Sequence, residues 1–430
     1  MTPLLYLVYR EALSSVISSQ VLTPLEALRP ATDVTLGLFT PCGQLLRSKF
    51  QPVLSQIEKR CQSSGIKVGW LPSPPTRMPW LWSDSFVLRR WIQRHFRKDQ
   101  PLIVRCRNSS ATRIALDAFR DFPQARIIFD CRGAEVTETA QRLGYHHLPE
   151  SEWPPVARDK LQAVMRDEQR AVLEADGVTC VSQAMVDQLR ATYPDQPANK
   201  FFVVPCCPDT DAFFAAAVER DRVRKELGLT DKLVVTYVGS LAWYQLPEAS
   251  FRIFKVIKSI RPDAHFFAIT TQPDKMRELS LAAGLESEDI TIRSVSSREV
   301  PGLLVASDLG LMLRDDSLTN RVASPVKFGE YIAAGVPVII TSQLGDYSHA
   351  VGAHDLGVVV KLEQPDAVLA DILHCIVHQS DDETEARRNR CLHYAATQLS
   401  WQKVIPQLNN WYHGLHLPPG IGLTTTLESR

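Results

Sequence analysis

The stretch SPVKFGEYIAAGVPVII (324–340) predicts a short helix that leads at once into a buried strand. Ser324 is a favourable N-cap residue, and Pro325 suits the first helical position because an N–H there would have no helical partner. Gly335 ends the helix, and the apolar run from Val336 is typical of a strand covered on both faces. The N-terminus of such a helix offers unpaired N–H groups and the positive end of its dipole to an anion.

Two charged residues of this helix, Lys327 and Glu330, lie three positions apart and therefore share one face. In one interpretation the ammonium group meets a phosphate and the carboxylate accepts hydrogen bonds from ribose hydroxyls. In the other, the two side chains form a solvated ion pair worth about 0.2–0.5 kcal/mol. The spacing by itself favours the ion pair, and charge and helix geometry do not decide between the two.

The rest of the chain alternates short apolar runs with amphipathic stretches, which predicts α/β architecture with two doubly wound, Rossmann-like domains. Runs that are apolar at consecutive positions favour strands of a parallel sheet, and strand–helix alternation gives right-handed crossovers. The predicted strands are 4–9, 33–40, 67–72, 102–107, 126–131, 177–182 and 201–206 in the first half, and 233–240, 266–271, 290–295, 309–313, 336–341 and 356–361 in the second.

A domain boundary is expected where the series of strands restarts, within PCCPDTDAFFAAAVERDRVRKELGL (205–229). There a proline-flanked turn leads into a charged helix. We expect one Rossmann-like domain over 1–207 and a second over 208–395, followed by a helix over 396–418 that packs back toward the first domain and a polar tail over 419–430. Ligands of such folds bind at the carboxyl ends of the strands, so two domains that face each other would enclose a cleft.

The composition argues against several classes of function. Lys+Arg and Asp+Glu both number 48, so the chain lacks the basic excess of nucleic-acid-binding domains. The nine cysteines show no metal-ligand spacing. Asp209-Thr210-Asp211 lies in the linker, and the second domain beyond it has only the adjacent pair Asp315–Asp316 and no Asp-x-Asp motif, so no metal site is expected. The opening run (4–9) is interpreted as a first strand and not as a signal peptide, and no stretch reaches about 18 uncharged apolar residues. We therefore expect a cytoplasmic protein.

The stretch quoted first resembles the donor-site helix of the large retaining glycosyltransferase group called family four, or glycosyl transferases group 1. Six further segments resemble other parts of this family, in the family's own order along nearly the whole chain. Each motif is weak by itself, and their order carries the assignment. The segments are EALSSVISSQVLTPLEAL (11–28), IIFDCRGAEVTE (127–138), EADGVTCVSQAMVDQL (174–189), FFVVPCCPDTDAF (201–213), VVTYVGSLAWYQLPEASF (234–251) and SSREVPGLLVASDLGLML (296–313).

The resemblance implies the GT-B architecture and the transfer of a sugar, with retention of anomeric configuration, from a UDP- or GDP-linked donor. The acceptor would be a glycan, a lipid-linked glycan or a small molecule. The nucleotide sugar is then a substrate, and no cofactor is implied. The residues that the resemblance places around the donor are Gly239 and Ser240 near the diphosphate, Val295 and Ser296 beside the base, Ser324 at the start of the donor helix, Lys327 at a phosphate and Glu330 at the ribose.

The sequence departs from the family's pattern in two places. Val322 stands eight positions before the ribose glutamate, where the family often has an acidic residue. The usual Arg and Lys soon after Gly239 are absent, since Leu-Ala-Trp-Tyr-Gln occupies 241–245. Arg321 is the candidate for the missing cation, and a solvated loop charge is the alternative. A non-catalytic, glycosyltransferase-like scaffold therefore stays open, as does a nucleotide-sugar epimerase of the same architecture.

The first domain offers candidate residues at the carboxyl ends of its strands, where ligands meet an open α/β sheet. Asp130 and Arg132 join Lys327 as the candidate catalytic residues: Asp130 would orient an acceptor hydroxyl, and Arg132 would meet a phosphate or an acidic acceptor. The alternative is a buried Asp–Arg pair that holds the loop. Arg105, on the preceding strand, and Ser19 and Gln20, in the first loop, are candidates for contacts with the acceptor or between the domains.

The segment PWLWSDSFVLRRWIQRHFRK (79–98) mixes aromatic and basic residues. A basic amphipathic helix that contains tryptophan can lie on an anionic bilayer, and related enzymes often act on lipid-linked acceptors. One interpretation is peripheral contact with the inner face of the membrane. The alternative, which the pattern favours, is an outer helix of the first domain with a charged exposed face.

Overall fold

The computed structural model describes residues 2–14, 17–75 and 82–415. These residues form two compact units, of which the first comprises the chain up to Val204 and from Val404 onward, and the second Pro205–Lys403. The expected boundaries at 207/208 and 395/396 differ from these limits. Cys206 belongs to the second unit because its N–H donates to the hydroxyl of Ser324 (3.0 Å), and the helix over 381–398 belongs there because it packs against the helix over 326–333.

The first unit is built on a seven-stranded parallel sheet of order β3-β2-β1-β4-β5-β6-β7. Its strands are β1 (Leu4–Tyr9), β2 (Val34–Pro41), β3 (Lys67–Ser73), β4 (Leu102–Arg107), β5 (Ala125–Cys131), β6 (Gly177–Cys180) and β7 (Phe201–Val203). Its helices before the linker are α1 (Thr23–Leu28), α2 (Cys42–Leu45), α3 (Gln51–Ser63), α4 (Asp84–His95), α5 (Ser109–Ala118), α6 (Glu135–Leu143), α7 (Pro155–Glu174) and α8 (Gln183–Thr192).

The second unit is built on a six-stranded parallel sheet of order β10-β9-β8-β11-β12-β13. Its strands are β8 (Leu233–Val238), β9 (Ala264–Ile269), β10 (Ile290–Arg293), β11 (Leu309–Met312), β12 (Val338–Thr341) and β13 (Gly357–Val360). Its helices are α9 (Thr210–Ala217), α10 (Arg220–Leu227), α11 (Pro247–Ile260), α12 (Pro273–Ala282), α13 (Val300–Leu304), α14 (Leu318–Arg321), α15 (Val326–Ala333), α16 (Tyr347–Ala353), α17 (Asp366–Val377) and α18 (Asp381–Gln398).

Both sheets confirm the predicted doubly wound α/β architecture, because every predicted apolar run overlaps a strand and helices connect the strands. Central strands such as β4 and β9 are buried along their whole length, as expected for sheets covered on both faces. The strand order reverses between β1 and β4 in the first sheet and between β8 and β11 in the second. Ligands of open α/β sheets bind at such switch points, beyond the carboxyl ends of the strands.

The last described helix is α19 (Trp401–Leu415), which starts five residues after the predicted position because α18 extends to Gln398. From Val404 onward it belongs to the first unit. Trp411 stacks on Phe202 of β7, with ring centroids 5.4 Å apart, and its indole N–H donates to the carbonyl oxygen of Asn199 (3.1 Å). The predicted end of this helix (416–418) and the tail (419–430) lie outside the described residues.

Candidate functional site

Helix α15 is fixed to the centre of the second sheet by Tyr331. The Tyr331 hydroxyl donates to the carbonyl oxygen of Thr236 and accepts from the N–H of Val238, both at 2.9 Å. Its ring lies against Gly310 of β11, where a β-carbon would overlap it. The helix therefore approaches β8 and β11 closely, at the switch point of this sheet.

Ser324 does not cap α15, so this prediction is wrong. The helix begins at Val326 with Pro325 in the N-cap position, and no side chain caps it. The Ser324 hydroxyl instead accepts from the N–H of Cys206 (3.0 Å) and shares a hydrogen bond with the hydroxyl of Tyr347 (2.7 Å). These contacts tie the segment before α15 to the start of the second unit.

Lys327 lies beside the end of β8. Its Nζ donates to the side-chain oxygen of Gln245, and a β-carbon on Gly239 would overlap this Nζ. Gly239 has a φ of +140°, in the region that favours glycine, and its N–H donates to the carbonyl oxygen of Ile269 (2.9 Å). The missing side chain at 239 thus lets the lysine lie directly on the main chain where β8 ends.

Gln245, which the sequence analysis does not select, joins two of the predicted donor-site residues. It is 5% exposed, and its amide nitrogen donates to the hydroxyl of Ser240 (2.8 Å) while its oxygen accepts from Lys327. It ends the short turn Trp243–Gln245, within the stretch that lacks the family's Arg and Lys. No local pattern marks it, because the turn and α15 are 82 positions apart in the sequence.

Glu330 does not pair with Lys327. Within the described parts of the chain, no ion pair or hydrogen bond joins its carboxylate to another residue. The alternative of a solvated ion pair on α15 therefore does not hold in the structure.

The two side chains still influence each other's charge. Burial and the positive charge of Arg314 together lower the pKa of Lys327 to about 7, against the opposing effect of Glu330. Burial also raises the pKa of the Glu330 carboxyl, and the charge of Lys327 opposes this shift. An anion bound beside Lys327 would stabilise its protonated form, because opposite charges favour ionisation.

Arg314 is a second cation near Lys327 that the sequence analysis does not select. It follows β11 by two positions and is 8% exposed. Like Asp130, Arg314 is a charged residue at the carboxyl end of a buried strand, where ligands of open α/β sheets bind. Its position just after a buried strand could therefore have identified Arg314 from the sequence.

The remaining donor-site candidates, Arg321, Ser296 and Val295, contact other residues of the second unit. The side chain of Arg321 is 51% exposed and makes a two-point ion pair with Asp316 (2.5 and 3.0 Å), which favours the alternative of a solvated loop charge. Ser296 is exposed, and its N–H and hydroxyl donate to Glu299 (3.0 and 2.6 Å). Val295 packs against the core of the second unit.

In the first unit, Asp130 is buried among hydrogen-bond donors at the end of β5. It is 1% exposed and accepts from Tyr6 (2.5 Å), Arg105 (2.6 Å) and Thr179 (2.8 Å), with Arg132 Nη1 at 3.9 Å. Burial by itself raises the pKa of a carboxyl, but Arg105 and Arg132 hold the pKa of Asp130 well below its usual range. This arrangement favours the alternative in which an Asp–Arg pair holds the loop.

The first loop reaches the carboxyl end of β4 through Arg107. Its Nε donates to Glu11 (2.7 Å) and its Nη2 to the side chain of Gln20 (3.1 Å). Gln20 and Ser19 lie in the π-helical turn Ser18–Leu22. The structure thus brings Gln20 to the switch point of the first sheet, together with Glu11, which the sequence analysis does not select.

The aromatic and basic segment begins outside the described residues, which resume at Trp82. Helix α4 turns Leu88 and Ile92 into the core of the first unit, and Arg89 forms an ion pair with Asp121. Phe86 is 60% exposed. The buried face favours the alternative of an outer helix, and no helix in the described parts of the chain is both long and apolar enough to span a bilayer.

Comparison with protein-family models matches residues 48–212 to Glycosyltransferase Family 4 and residues 219–395 to Glycosyl transferases group 1. Comparison with curated protein sequences finds no match. Many solved structures are similar. One is HepE of Anabaena in complex with UDP and glucose, at 14% identity and a TM-score of 0.65, which covers 96% of this chain and 100% of that chain.

Two further structures are similar over comparable lengths. A glycosyltransferase of Rickettsia africae is 13% identical with a TM-score of 0.68, covering 96% of this chain and 98% of that chain. WaaG, a glycosyltransferase involved in lipopolysaccharide biosynthesis, is 14% identical with a TM-score of 0.63, covering 96% of this chain and 100% of that chain. At these identities the likeness shows the fold, while the two family models show the family. This chain is therefore a glycosyltransferase of the GT-B fold, with a Glycosyltransferase Family 4 region followed by a Glycosyl transferases group 1 region.

Proposed function

We propose that this glycosyltransferase takes a sugar from a nucleoside-diphosphate donor bound by its second unit and transfers it with retention of anomeric configuration. The arrangement of Lys327, Gly239 and Glu330 carries the proposal. An ammonium group lies on a glycine at the carboxyl end of β8, and a carboxylate that no described residue binds lies three positions further along α15. The ammonium group suits a phosphate, and the carboxylate suits the hydroxyl groups of a ribose.

Uridine is the first base to test, because the solved structures of HepE contain UDP or UDP-glucose. Guanosine is the alternative. We place the base beside the main chain of Val295 and Ser296, after β10, and the diphosphate beside Gly239 and Ser240. Both segments follow strands of the second sheet at their carboxyl ends.

The proposed chemistry is a same-face displacement. As the nucleoside diphosphate leaves, the sugar gains oxocarbenium character and negative charge develops on the leaving oxygen. Lys327 supplies fixed positive charge beside this oxygen. Glu330 is assigned to the ribose and not to the sugar, which suits a same-face displacement because that mechanism needs no enzyme nucleophile. Neutralisation by side chains would also make the transfer metal-independent. Complete loss of turnover with a chelator and recovery with manganese would contradict this part of the proposal.

The acceptor is proposed to meet the first unit at the end of β5 and the first loop. The side chain of Asp130 is only 1% exposed, so we assign contact with the acceptor to Arg132, which lies beside it, and to Gln20, which accepts from Arg107 at the end of β4. A guanidinium group suits an acidic or phosphorylated acceptor, either a glycan, a lipid-linked glycan or a small molecule. The exposed Arg90 and Arg94 of α4 suit contact with an anionic membrane at its cytoplasmic side. Flotation with acidic liposomes at low salt tests that contact.

A thermal-shift screen tests the donor site. Wild type and Glu330→Ala would be compared with UDP, GDP, ADP and their common sugar conjugates, with Glu363→Ala as a control at an exposed glutamate. A ligand at one hundred times its Kd adds about 2.7 kcal/mol to the free energy of unfolding. We expect one base to shift the melting temperature of wild type and of the control but not of Glu330→Ala.

The other outcomes distinguish the alternatives. A folded protein that responds to no nucleotide would favour the non-catalytic scaffold. Conversion of the donor to its epimer without an acceptor would favour the epimerase. Transfer to an added acceptor, with the anomeric configuration of the product determined by NMR, tests the retaining mechanism.

A further inference from the structure

Arg314 is buried at the switch point of the second sheet. β11 pairs with β8 in the register Leu309↔Val235 and Gly310↔Thr236. The same offset sets Arg314 level with Ser240. The guanidinium group is thus placed beside the loop that the proposed function assigns to the diphosphate, and it also contacts that loop, because Nη1 donates to the carbonyl oxygen of Tyr244.

No carboxylate in the described part of the chain forms an ion pair with Arg314. Its Nη1 donates to the carbonyl oxygens of Leu313 and Tyr244, each at 3.3 Å, and the guanidinium lies over the Tyr244 ring, 5.3 Å from its centroid. Burial accordingly lowers the pKa of Arg314, since a charge taken out of water without a counter-charge is costly. The charge of the neighbouring Asp315 opposes this shift only in part.

Arg314 and Lys327 converge on one short turn. Arg314 binds the main chain of Tyr244, and Lys327 binds the side chain of the next residue, Gln245. Burial and the charge of Arg314 both lower the pKa of Lys327, and Glu330 offsets these effects only in part. The two cations are therefore close enough to repel each other, and an anion between them would relieve that repulsion.

We infer that Arg314 binds the diphosphate of the donor together with Lys327, in place of the arginine and lysine that the loop over 241–245 lacks. This inference rests on the proposed function. A planar guanidinium can bind two phosphate oxygens at once, and an ammonium group binds another as a point charge. Arg321, the cation that the sequence favours for this role, is instead neutralised by Asp316 at the surface.

The test measures the affinities of wild type and variants for a nucleoside diphosphate and for its nucleoside by isothermal titration calorimetry, with the base that wild type prefers. Arg314→Met should weaken binding of the diphosphate about 10-fold or more and leave the nucleoside unaffected, because a charge-assisted contact to phosphate is lost. Arg314→Lys keeps the charge without the planar guanidinium, so its affinity for the diphosphate should lie between those of wild type and Arg314→Met. Arg321→Met is the matched control and should bind as wild type does.

The outcomes separate this inference from the proposed function. If wild type binds no nucleoside diphosphate, the proposed function fails. If wild type binds it and a folded Arg314→Met binds it equally, only the inference fails. An equal loss of affinity for nucleoside and diphosphate would also overturn the inference, since it indicates a structural role. Should Arg314→Met not fold by circular dichroism, Arg314→Lys decides, and affinity equal to wild type overturns the inference.

Discussion

The ammonium nitrogen of Lys327 occupies the space that a β-carbon on Gly239 would fill. The lysine reaches this position from the first turn of α15, and the glycine stands where β8 ends, with a φ of +140°. The residue at position 239 therefore decides whether Lys327 can lie on the main chain, because any side chain there would displace the ammonium group.

Gly239→Ala should weaken binding of a nucleoside diphosphate about tenfold or more, because the added β-carbon displaces a charge-assisted donor. It should also lower the free energy of unfolding by about 1–3 kcal/mol, since alanine adopts this φ only with strain. Calorimetry and urea unfolding measure the two effects. Gly302→Ala is the control, because no described atom lies within 4 Å of a β-carbon at that position. Unchanged affinity in a folded Gly239→Ala would show that binding does not need this position of Lys327.

The affinity for a nucleoside diphosphate should fall as the pH rises above about 7. In the free protein, burial lowers the pKa of Lys327 to about 7, whereas a bound diphosphate favours its charged form. Binding above this pH therefore takes up a proton, and the affinity falls by up to about tenfold per pH unit. Calorimetry at about pH 8 in two buffers of different ionisation enthalpy measures the uptake.

Lys327→Arg is the control for this pH dependence, because a guanidinium stays charged throughout the range. Its affinity should be nearly constant between about pH 7 and 9, and a profile like that of wild type would contradict the assignment to Lys327. In wild type the same group should make the free energy of unfolding rise with pH between the folded pKa of about 7 and the ordinary value of 10.5. The unfolded chain binds more protons than the folded chain in that window.

Gln245→Glu should weaken binding of the diphosphate and move its pH dependence upward by about one unit or more. The new carboxylate would form an ion pair with Lys327 and raise the pKa of the ammonium group, while it repels the phosphates. Gln245→Met breaks the same link to Lys327 and Ser240 without added charge, so it should weaken binding and leave the pH dependence in place. Calorimetry across the pH range distinguishes the two variants, and identical profiles would argue against the link.

The sequence predicts the fold well because the signals that define it are local. A run of consecutive apolar residues marks a strand covered on both faces, whichever strands become its neighbours. The shared face of Lys327 and Glu330 is also predicted locally, since they lie three positions apart on a helix, whereas their assignment to the donor comes from the resemblance to the family. Gln245 is not predicted from the sequence, because its partner Lys327 belongs to a helix that is distant along the chain.

At two further residues the structure differs from the prediction because of contacts between distant parts of the chain. Ser324 satisfies the local rules for an N-cap, but its hydroxyl is used by Cys206 and Tyr347. Asp130 stands at the carboxyl end of a strand as predicted, yet successive strand residues face opposite sides of a sheet. Only the packing of Tyr6 and Arg105 around it shows that its carboxylate is enclosed.

Asp130→Asn should destabilise the first unit by about 3–5 kcal/mol, because Arg105 and Arg132 lose the counter-charge that they share. The arginines hold the pKa of Asp130 well below its usual range, so its contribution to stability is complete above the ordinary carboxyl pKa of about 4 and is lost as the pH falls below that value. The stabilities of wild type and variant should therefore converge in acid. Urea unfolding at neutral and acidic pH measures this.

The same substitution decides between a structural and a catalytic role for Asp130. Its carboxylate already accepts from Tyr6, Arg105 and Thr179 and is 1% exposed, so an acceptor hydroxyl would have to displace one of these donors. The folded fraction of Asp130→Asn should consequently keep most of its turnover, whereas Arg132→Ala should raise the KM for the acceptor with a smaller loss of stability. A variant with normal stability and a turnover reduced about 100-fold or more would instead identify Asp130 as a general base, since such groups contribute about that much.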